Sequence, residues 1–205
     1  LWAQERGFEL PAQPEGERCV VRWLCCSALL LEANPPARAA GGERHSVFID
    51  GEGRLSSCGS DYPAATYPPG LLGHGEGVTR LNTPTLLPSP LRAVSVSAGA
   101  RHSLALTADG AVWSWGLGAF GMLGHEDQQD QWQPKKVEAF ADQRVSAVSA
   151  GAHHSLATTA DGAVWSWGWG YFGQVGHGDT QNQLLPKKVE ALAGRRVVAV
   201  SAGAA

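Results

Sequence analysis

The amino-acid sequence predicts an all-β protein, a partial β-propeller of about three four-stranded blades, and three observations predict it. The stretch Val96 to Gly124, VSAGARHSLALTADGAVWSWGLGAFGMLG, returns 52 residues later at Val148 to Gly176, and one full period from Val96 holds 37 identities in 52. Self-similarity at such a period marks stacked supersecondary units that bury their faces on one another. Within each period, short alternating runs are punctuated by Asp-Gly and Gly-rich turns. Glycine is abundant (26 of 205 residues) and charged residues are sparse, as many short strands joined by tight turns require.

The elements follow in order. Residues 1 to 39 do not match the repeat. Pro11, Pro14 and Gly16 mark an irregular lead-in. Between Cys19 and Ala33 the spacing of Val20, Leu24, Ala28 and Leu31 suits one face of a short helix, which Asn34-Pro35-Pro36 would stop. A helix packed on the first blade, or the tail of a preceding domain, accounts for this segment. A secretory signal fits less well, because Arg22 breaks the apolar run and Glu32 closes it, although Ala37-Arg38-Ala39 imitates a cleavage site. Repeats then occupy 40–92, 93–145 and 146–197, with the start of another at 198–205.

In the second repeat, Val96 to Ala98 reads as a short apolar strand ending in Gly99. His102 to Thr107 reads as a strand with His and Leu on one face and Ser, Ala and Thr on the other. Asp109-Gly110 is a hairpin turn, since Asp-Gly tolerates positive φ. Ala111 to Trp115 returns with Trp113 and Trp115 on one face. Gly116, Gly118, Gly121 and Gly124 carry a loop, and Pro134 to Glu138 is expected as the outer strand, because Pro and Lys discourage stray edge pairing. No helix is expected within the period. Small residues opposite large ones let neighbouring sheets interdigitate, as propeller blades do.

The first repeat departs from this pattern. Ser56 and Cys58 stand where Trp113 and Trp115 stand later, and six extra residues are inserted between Gly59 and Gly73. The insertion carries Tyr62, Tyr67, Pro68 and Pro69, which are the candidate partner-contact residues; a neutral surface loop is the competing reading.

Several motifs invite chemistry. Gly116 to Gly121 and Gly168 to Gly173 fit GxGxxG, but a dinucleotide site needs a helix opening there, and here another glycine and a histidine follow. His45, His102 and His154 are equivalent in phase, as are His74, His125 and His177. Such histidines are expected half-buried, bonded to neighbouring backbone. Ser103 and Ser155 beside His, with Asp109 and Asp161 nearby, imitate a hydrolytic triad, yet an active site does not recur in every blade, and no GxSxG elbow is present. There is no HExxH and no zinc-spaced Cys/His cluster. The Lys135-Lys136 and Lys187-Lys188 pairs read as solvated edges, and a formal net charge of -3 gives no nucleic-acid footprint. No cofactor or metal is implied. No apolar run is long enough to span a bilayer. Four cysteines, three of them before the repeats and none in a CxxC pair, suit reduced thiols in a cytoplasmic or nuclear protein.

The recurring pattern VSAGxxHSLAxTxDGxVWSWGxGxxGxxGH…PKKVEAL resembles the repeat of the regulator of chromosome condensation family over residues 40 to 205. The resemblance implies a seven-bladed propeller. Seven units need roughly 360 residues, so the chain, which begins at Leu1 and stops inside a repeat, is expected to belong to a longer protein. It further implies a non-catalytic module that grips a protein partner. The alternatives are guanine-nucleotide exchange on a small GTPase, as the founding member performs, and substrate recognition within a ubiquitin ligase. The plant ultraviolet-B photoreceptor shares the repeat but uses tryptophan in a Gly-Trp-Arg-His-Thr pattern. Ala100 and Ala152 occupy that place here, and the tryptophans that are present are expected on the Trp-Ser-Trp strand, packing between blades.

Overall fold

The computed structural model describes residues 38–61 and 70–203. The segment between Cys19 and Ala33, and the contact candidates Tyr62, Tyr67, Pro68 and Pro69, lie outside the described residues.

Three four-stranded antiparallel meanders make up the described chain. The first holds β1 (Ala39–Gly41), β2 (His45–Ile49), β3 (Leu55–Ser60) and β4 (Arg80–Leu86). The second holds β5 (Ala93–Ala98), β6 (His102–Thr107), β7 (Val112–Gly116) and β8 (Gln131–Lys136). The third holds β9 (Val145–Ala150), β10 (His154–Thr159), β11 (Val164–Gly168) and β12 (Gln183–Lys188). The only helical pieces among the described elements are single 3-10 turns such as Ala119–Gly121 and Glu138–Phe140.

Three strands differ in their bounds from the sequence reading, the returning strand by one residue at each end (Val112–Gly116 rather than Ala111 to Trp115). The inner strand begins at Ala93 rather than Val96. The outer strand is Gln131–Lys136, not Pro134 to Glu138. After Lys136 the chain turns inward: Val137 is fully buried, and the 3-10 turn Glu138–Phe140 delivers Phe140 into the core. The residues that start β8, Gln131 to Gln133, lie on a sheet edge, where a single apolar residue, Trp132, is too short a pattern to announce a strand.

Both faces of the second blade are covered by its neighbours, which is why β6 is buried along nearly its whole length, whereas β2 of the first blade alternates buried and half-buried residues. Register places Trp113 opposite Ala105 and Trp115 opposite Ser103, so small residues lie beneath large ones on one face. His102, Leu104 and Leu106, with Val112, form the other. Each tryptophan face packs on the leucine–histidine face of the preceding blade. Trp115, Val96 and Ala105 cover Val47 and Leu55 of the first blade. Trp167, Val145 and Ala157 cover Leu104, Leu106 and Val112 of the second, with Phe140 sealing the gap. The core is therefore a series of seams between sheets. Burying one tryptophan or leucine in such a seam contributes on the order of 2–3 kcal/mol.

Candidate interaction face

The recurrent polar residues resolve into seam hardware. Ser155, fully buried, donates its hydroxyl proton to the Met122 carbonyl at 2.9 Å. With that proton committed, its oxygen accepts from His102 Nε2 across the seam at 2.8 Å. His102 thus carries its proton on Nε2, and its buried Nδ1 has no partner. The indole of Trp167 donates to the same Met122 carbonyl at 2.9 Å. The first seam repeats the device: His45 Nε2 meets Ser103 Oγ at 2.7 Å, and Trp115 donates to the Leu71 carbonyl at 3.2 Å. Nearer the axis, the Ala150 N–H donates to Ser97 Oγ at 3.0 Å and the Ala202 N–H to Ser149 Oγ at 2.9 Å.

These histidines are more deeply buried than expected, and they bond a hydroxyl of the next blade rather than backbone of their own. Loss of water depresses their basicity, to about 3 for His102, with the neighbouring histidines adding to the shift, and to about 4 for His45. The second histidine set works within a blade: His125 Nε2 meets Ser114 Oγ at 2.9 Å and His177 Nε2 meets Ser166 Oγ at 2.9 Å. No carboxylate joins any of these pairs. Asp109 and Asp161 sit at the far end of the strands, where they accept from the Thr107 and Thr159 hydroxyls and close the hairpin turns. The triad imitation is therefore two unrelated structural devices.

The glycines of the GxGxxG loops also answer to the seam. Gly124 has φ +78°, and a Cβ there would stand 3.0 Å from Trp167 Nε1 and 3.1 Å from Pro186 Cδ. Gly121 closes a single 3-10 turn, and no helix opens after it.

In a meander the first and third connections emerge at one end of the sheet. The β5–β6 turn (99–101) and the long β7–β8 loop (117–130) accordingly meet, through the Leu117 N–H to Arg101 carbonyl bond at 2.9 Å. Trp169 N–H to the His153 carbonyl, also 2.9 Å, repeats the join in the third blade. On this loop face lies a cleft of about 450 Å³ lined by Gly42, Gly99, Gly151 and Gly203 together with Glu43, Arg101 and His153. Burial lowers the basicity of His153, the Arg101 charge lowers it further, and Glu43 partly offsets both. The described ends of the inserted loop reach the same face. Asp61 binds them together, accepting from the Gly70 and Leu71 N–H groups at 2.8 and 3.0 Å.

Beside the cleft, at the junction of the second and third blades, rings gather. Phe120 lies on Trp169 (centroids 5.6 Å, 29° between planes) and edge-on to His153 at 6.1 Å. Tyr171 runs nearly parallel to Trp169 at 6.2 Å and 11°. Tyr171 is 65% exposed. Trp169 is not a packing tryptophan of the Trp-Ser-Trp strand, as the sequence reading had it. It lies one residue beyond β11, in the loop. The signal was present in the repeat itself. Over 102–116 only one of fifteen positions (Leu106/Thr158) differs between the second and third repeats, whereas over 117–130 seven of fourteen differ, including Leu117/Trp169 and Ala119/Tyr171.

Comparison with known proteins agrees with this geometry. The family model described as "Regulator of chromosome condensation (RCC1) repeat" matches residues 69–106, 109–158 and 161–205. Its boundaries fall near the β6–β7 and β10–β11 turns, half a blade out of phase with the sheets. The human E3 ubiquitin-protein ligase HERC2 is 39% identical over 172 residues, which is 82% of this chain and 3% of that protein. The Arabidopsis thaliana ultraviolet-B receptor UVR8 is 33% identical over 170 residues, 80% of this chain and 36% of that one. Among solved structures, Prp20p of Saccharomyces cerevisiae, studied for its binding to Gsp1p and histones, superposes with a TM-score of 0.69 at 26% identity, over 81% of this chain and 41% of its own. Human WBSCR16 superposes equally well, at 28% identity over 81% and 44%. The chain spans less than half the length of each of these relatives.

Proposed function

Because the chain belongs to the regulator of chromosome condensation repeat family, we propose that it is a non-catalytic protein-interaction module that presents its loop face to a protein partner. One observation carries this reading: the recurring Ser, His, Trp and Gly residues are consumed by the blade seams, while the repeats diverge from one another in the loops of a single face. A rigid scaffold with variable loops at one end is how recognition surfaces are built. Photo-crosslinking tests it. A crosslinker at Ala119 in the loop face is expected to capture a discrete protein partner, and one at Ala160, in the opposite β10–β11 turn, is not. Equal capture at both positions, or at neither, refutes the reading.

Two narrower readings stand beneath it. The likeness to Prp20p supports nucleotide exchange on a small GTPase. Unchanged nucleotide release from candidate GTPases in the presence of the complete propeller removes that reading. The likeness to HERC2 supports substrate recognition for a ubiquitin ligase; under either reading Tyr62, Tyr67, Pro68 and Pro69 remain proposed partner contacts. A cytoplasmic or nuclear setting is proposed with it, and Cys58 is a free thiol.

A further inference from the structure

We propose that the junction of the second and third blades is a docking site for a lysine- or arginine-bearing extended segment of the partner, its cationic side chain seated on Trp169 and Tyr171. The proposal rests on the loop face being the interaction face, and it names where on that face and what chemistry binds.

Repeat divergence locates the site. Three positions at which the third repeat departs from the second, Arg101/His153, Leu117/Trp169 and Ala119/Tyr171, become neighbours in space. At each, an aromatic or heteroaromatic ring replaces a residue that serves the same backbone in the second blade. The backbone therefore does not need these rings. Phe172, itself exposed, stands edge-on to Trp169 at 5.0 Å and to Tyr171 at 5.2 Å and belongs to the same ring group, although the second repeat carries a phenylalanine, Phe120, at the matching position.

The rings are held rather than collapsed. Phe120 adopts φ +60°, a left-handed conformation that is costly for a bulky residue, and thereby keeps its ring on Trp169. Trp169 is also braced edge-on by His153 at 5.5 Å. Tyr171 projects outward. The outcome is a preset, solvent-facing π surface.

Charge selects the occupant. Along the described connections of the loop face (41–44, 61, 70–79, 99–101, 117–130, 151–153 and 169–182) there are seven carboxylates against two cations, Arg44 and Arg101, a net of five negative charges. Glu43, Glu76, Glu126 and Asp179 are exposed. The turns at the opposite end (50–54, 87–92, 108–111, 137–144, 160–163 and 189–198) hold seven carboxylates against five guanidinium groups. An aromatic surface within an anionic field attracts a cation twice over, through the ring quadrupole and through longer-range steering. Partial desolvation depresses the basicity of His153, so its ring adds no opposing charge near neutrality. An apolar or acidic segment would gain the ring contact and lose the field.

The double variant W169L/Y171A tests this without disturbing the fold, since it writes the second blade's own loop residues into the third. Binding of a fluorescein-labelled dodecapeptide of alternating glycine and lysine is measured by anisotropy, beside the same peptide with every lysine acetylated. The wild-type chain is expected to bind the lysine peptide and to discriminate against the acetylated one. W169L/Y171A is expected to weaken binding roughly tenfold with an unchanged melting temperature, and E43Q/E126Q/D179N to weaken it severalfold with a shallower salt dependence. Equal affinity of wild type and W169L/Y171A for the lysine peptide overturns the site, leaving only diffuse charge attraction. Equal affinity for the acetylated peptide overturns the cation. Concentration-dependent dimerisation lost in W169L/Y171A overturns the partner in favour of a second copy of the chain. If W169L/Y171A retains the crosslinked partners captured at Ala119, the docking site falls while the interaction module stands; if wild type captures none, the module reading itself falls.

Discussion

Lowering the pH is expected to dissolve the blade seams through His102 and His45. In the unfolded chain an imidazole takes up a proton near 6.5, but in the fold His102 resists protonation down to about 3 and His45 down to about 4, because each is buried without water. The unfolded state therefore binds more protons over this interval. Stability from these residues is fully present above about pH 6.5 and is lost as pH falls toward their folded values. Each pKa unit is worth about 1.4 kcal/mol, so at pH 4 each residue has given up on the order of 3 kcal/mol, and the pair on the order of 6. A domain is stabilised by only about 5–15 kcal/mol in all. The assay is urea unfolding followed by tryptophan fluorescence at pH values from about 7.5 down to 4.5. Between about pH 6 and 4.5, stability is expected to fall by roughly 2–3 kcal/mol per pH unit, from these two residues. In H102Q the amide nitrogen replaces Nε2 as donor to Ser155 while the titrating ring is gone. That variant is expected to lose some stability at neutral pH and about 1 kcal/mol per pH unit of the slope, and H45Q/H102Q about twice that; the remainder belongs to other buried imidazoles such as His125, which loss of water holds to about 4. An unchanged slope in the double variant refutes the seam-histidine account, whatever its stability at neutral pH.

Other consequences follow from the same seams. G124A must place a Cβ 3.0 Å from the Trp167 indole nitrogen at a left-handed φ; thermal unfolding is expected to show a loss of about 2 kcal/mol or more, whereas G178A, left-handed but with open space around it, should lose about 1. W115F shrinks the buried ring and removes the donor to the Leu71 carbonyl; calorimetry is expected to record a loss of about 1–3 kcal/mol from the unpaired carbonyl and the smaller ring. S97A removes the acceptor for the Ala150 N–H, and hydrogen exchange at Ala150 is expected to accelerate by roughly one order of magnitude, in line with a bond worth about 1 kcal/mol. Finally, Y62S/Y67S in the inserted loop is expected to reduce partner crosslinking from Ala119 without lowering the melting temperature; full retention would assign that loop a neutral role.

Much of the fold was legible in the chain, for reasons particular residues make plain. Asp109-Gly110 marked a hairpin because the turn needs positive φ, and Gly110 has φ 89°. The alternation of Trp113 and Trp115 with Val112 and Ser114 placed the tryptophans on one face, and Trp115 is wholly buried there. The start of the outer strand was not legible, since Gln131 to Gln133 lie at an edge and their one apolar residue, Trp132, packs against Gly70 of the preceding blade. Of the interaction face, the repeat comparison marked the divergent loop, but Trp169 read as one more packing tryptophan. A Trp one residue past the end of a strand differs from one inside it only once the strand's end is known.

What the sequence determined by itself was the unit and its local order: the 52-residue period, the strand–turn–strand rhythm, and which residues are architectural because they recur. These are properties of backbone torsion and side-chain alternation, which act between near neighbours. What only the tertiary structure decided was the partnership of those residues. His102 and Ser155 are 53 positions apart, and nothing local distinguishes a histidine that bonds its own backbone from one that crosses to the next blade. The same holds for Phe120, His153, Trp169 and Tyr171, which come from two blades and become one surface only when seam packing fixes the distance between sheets.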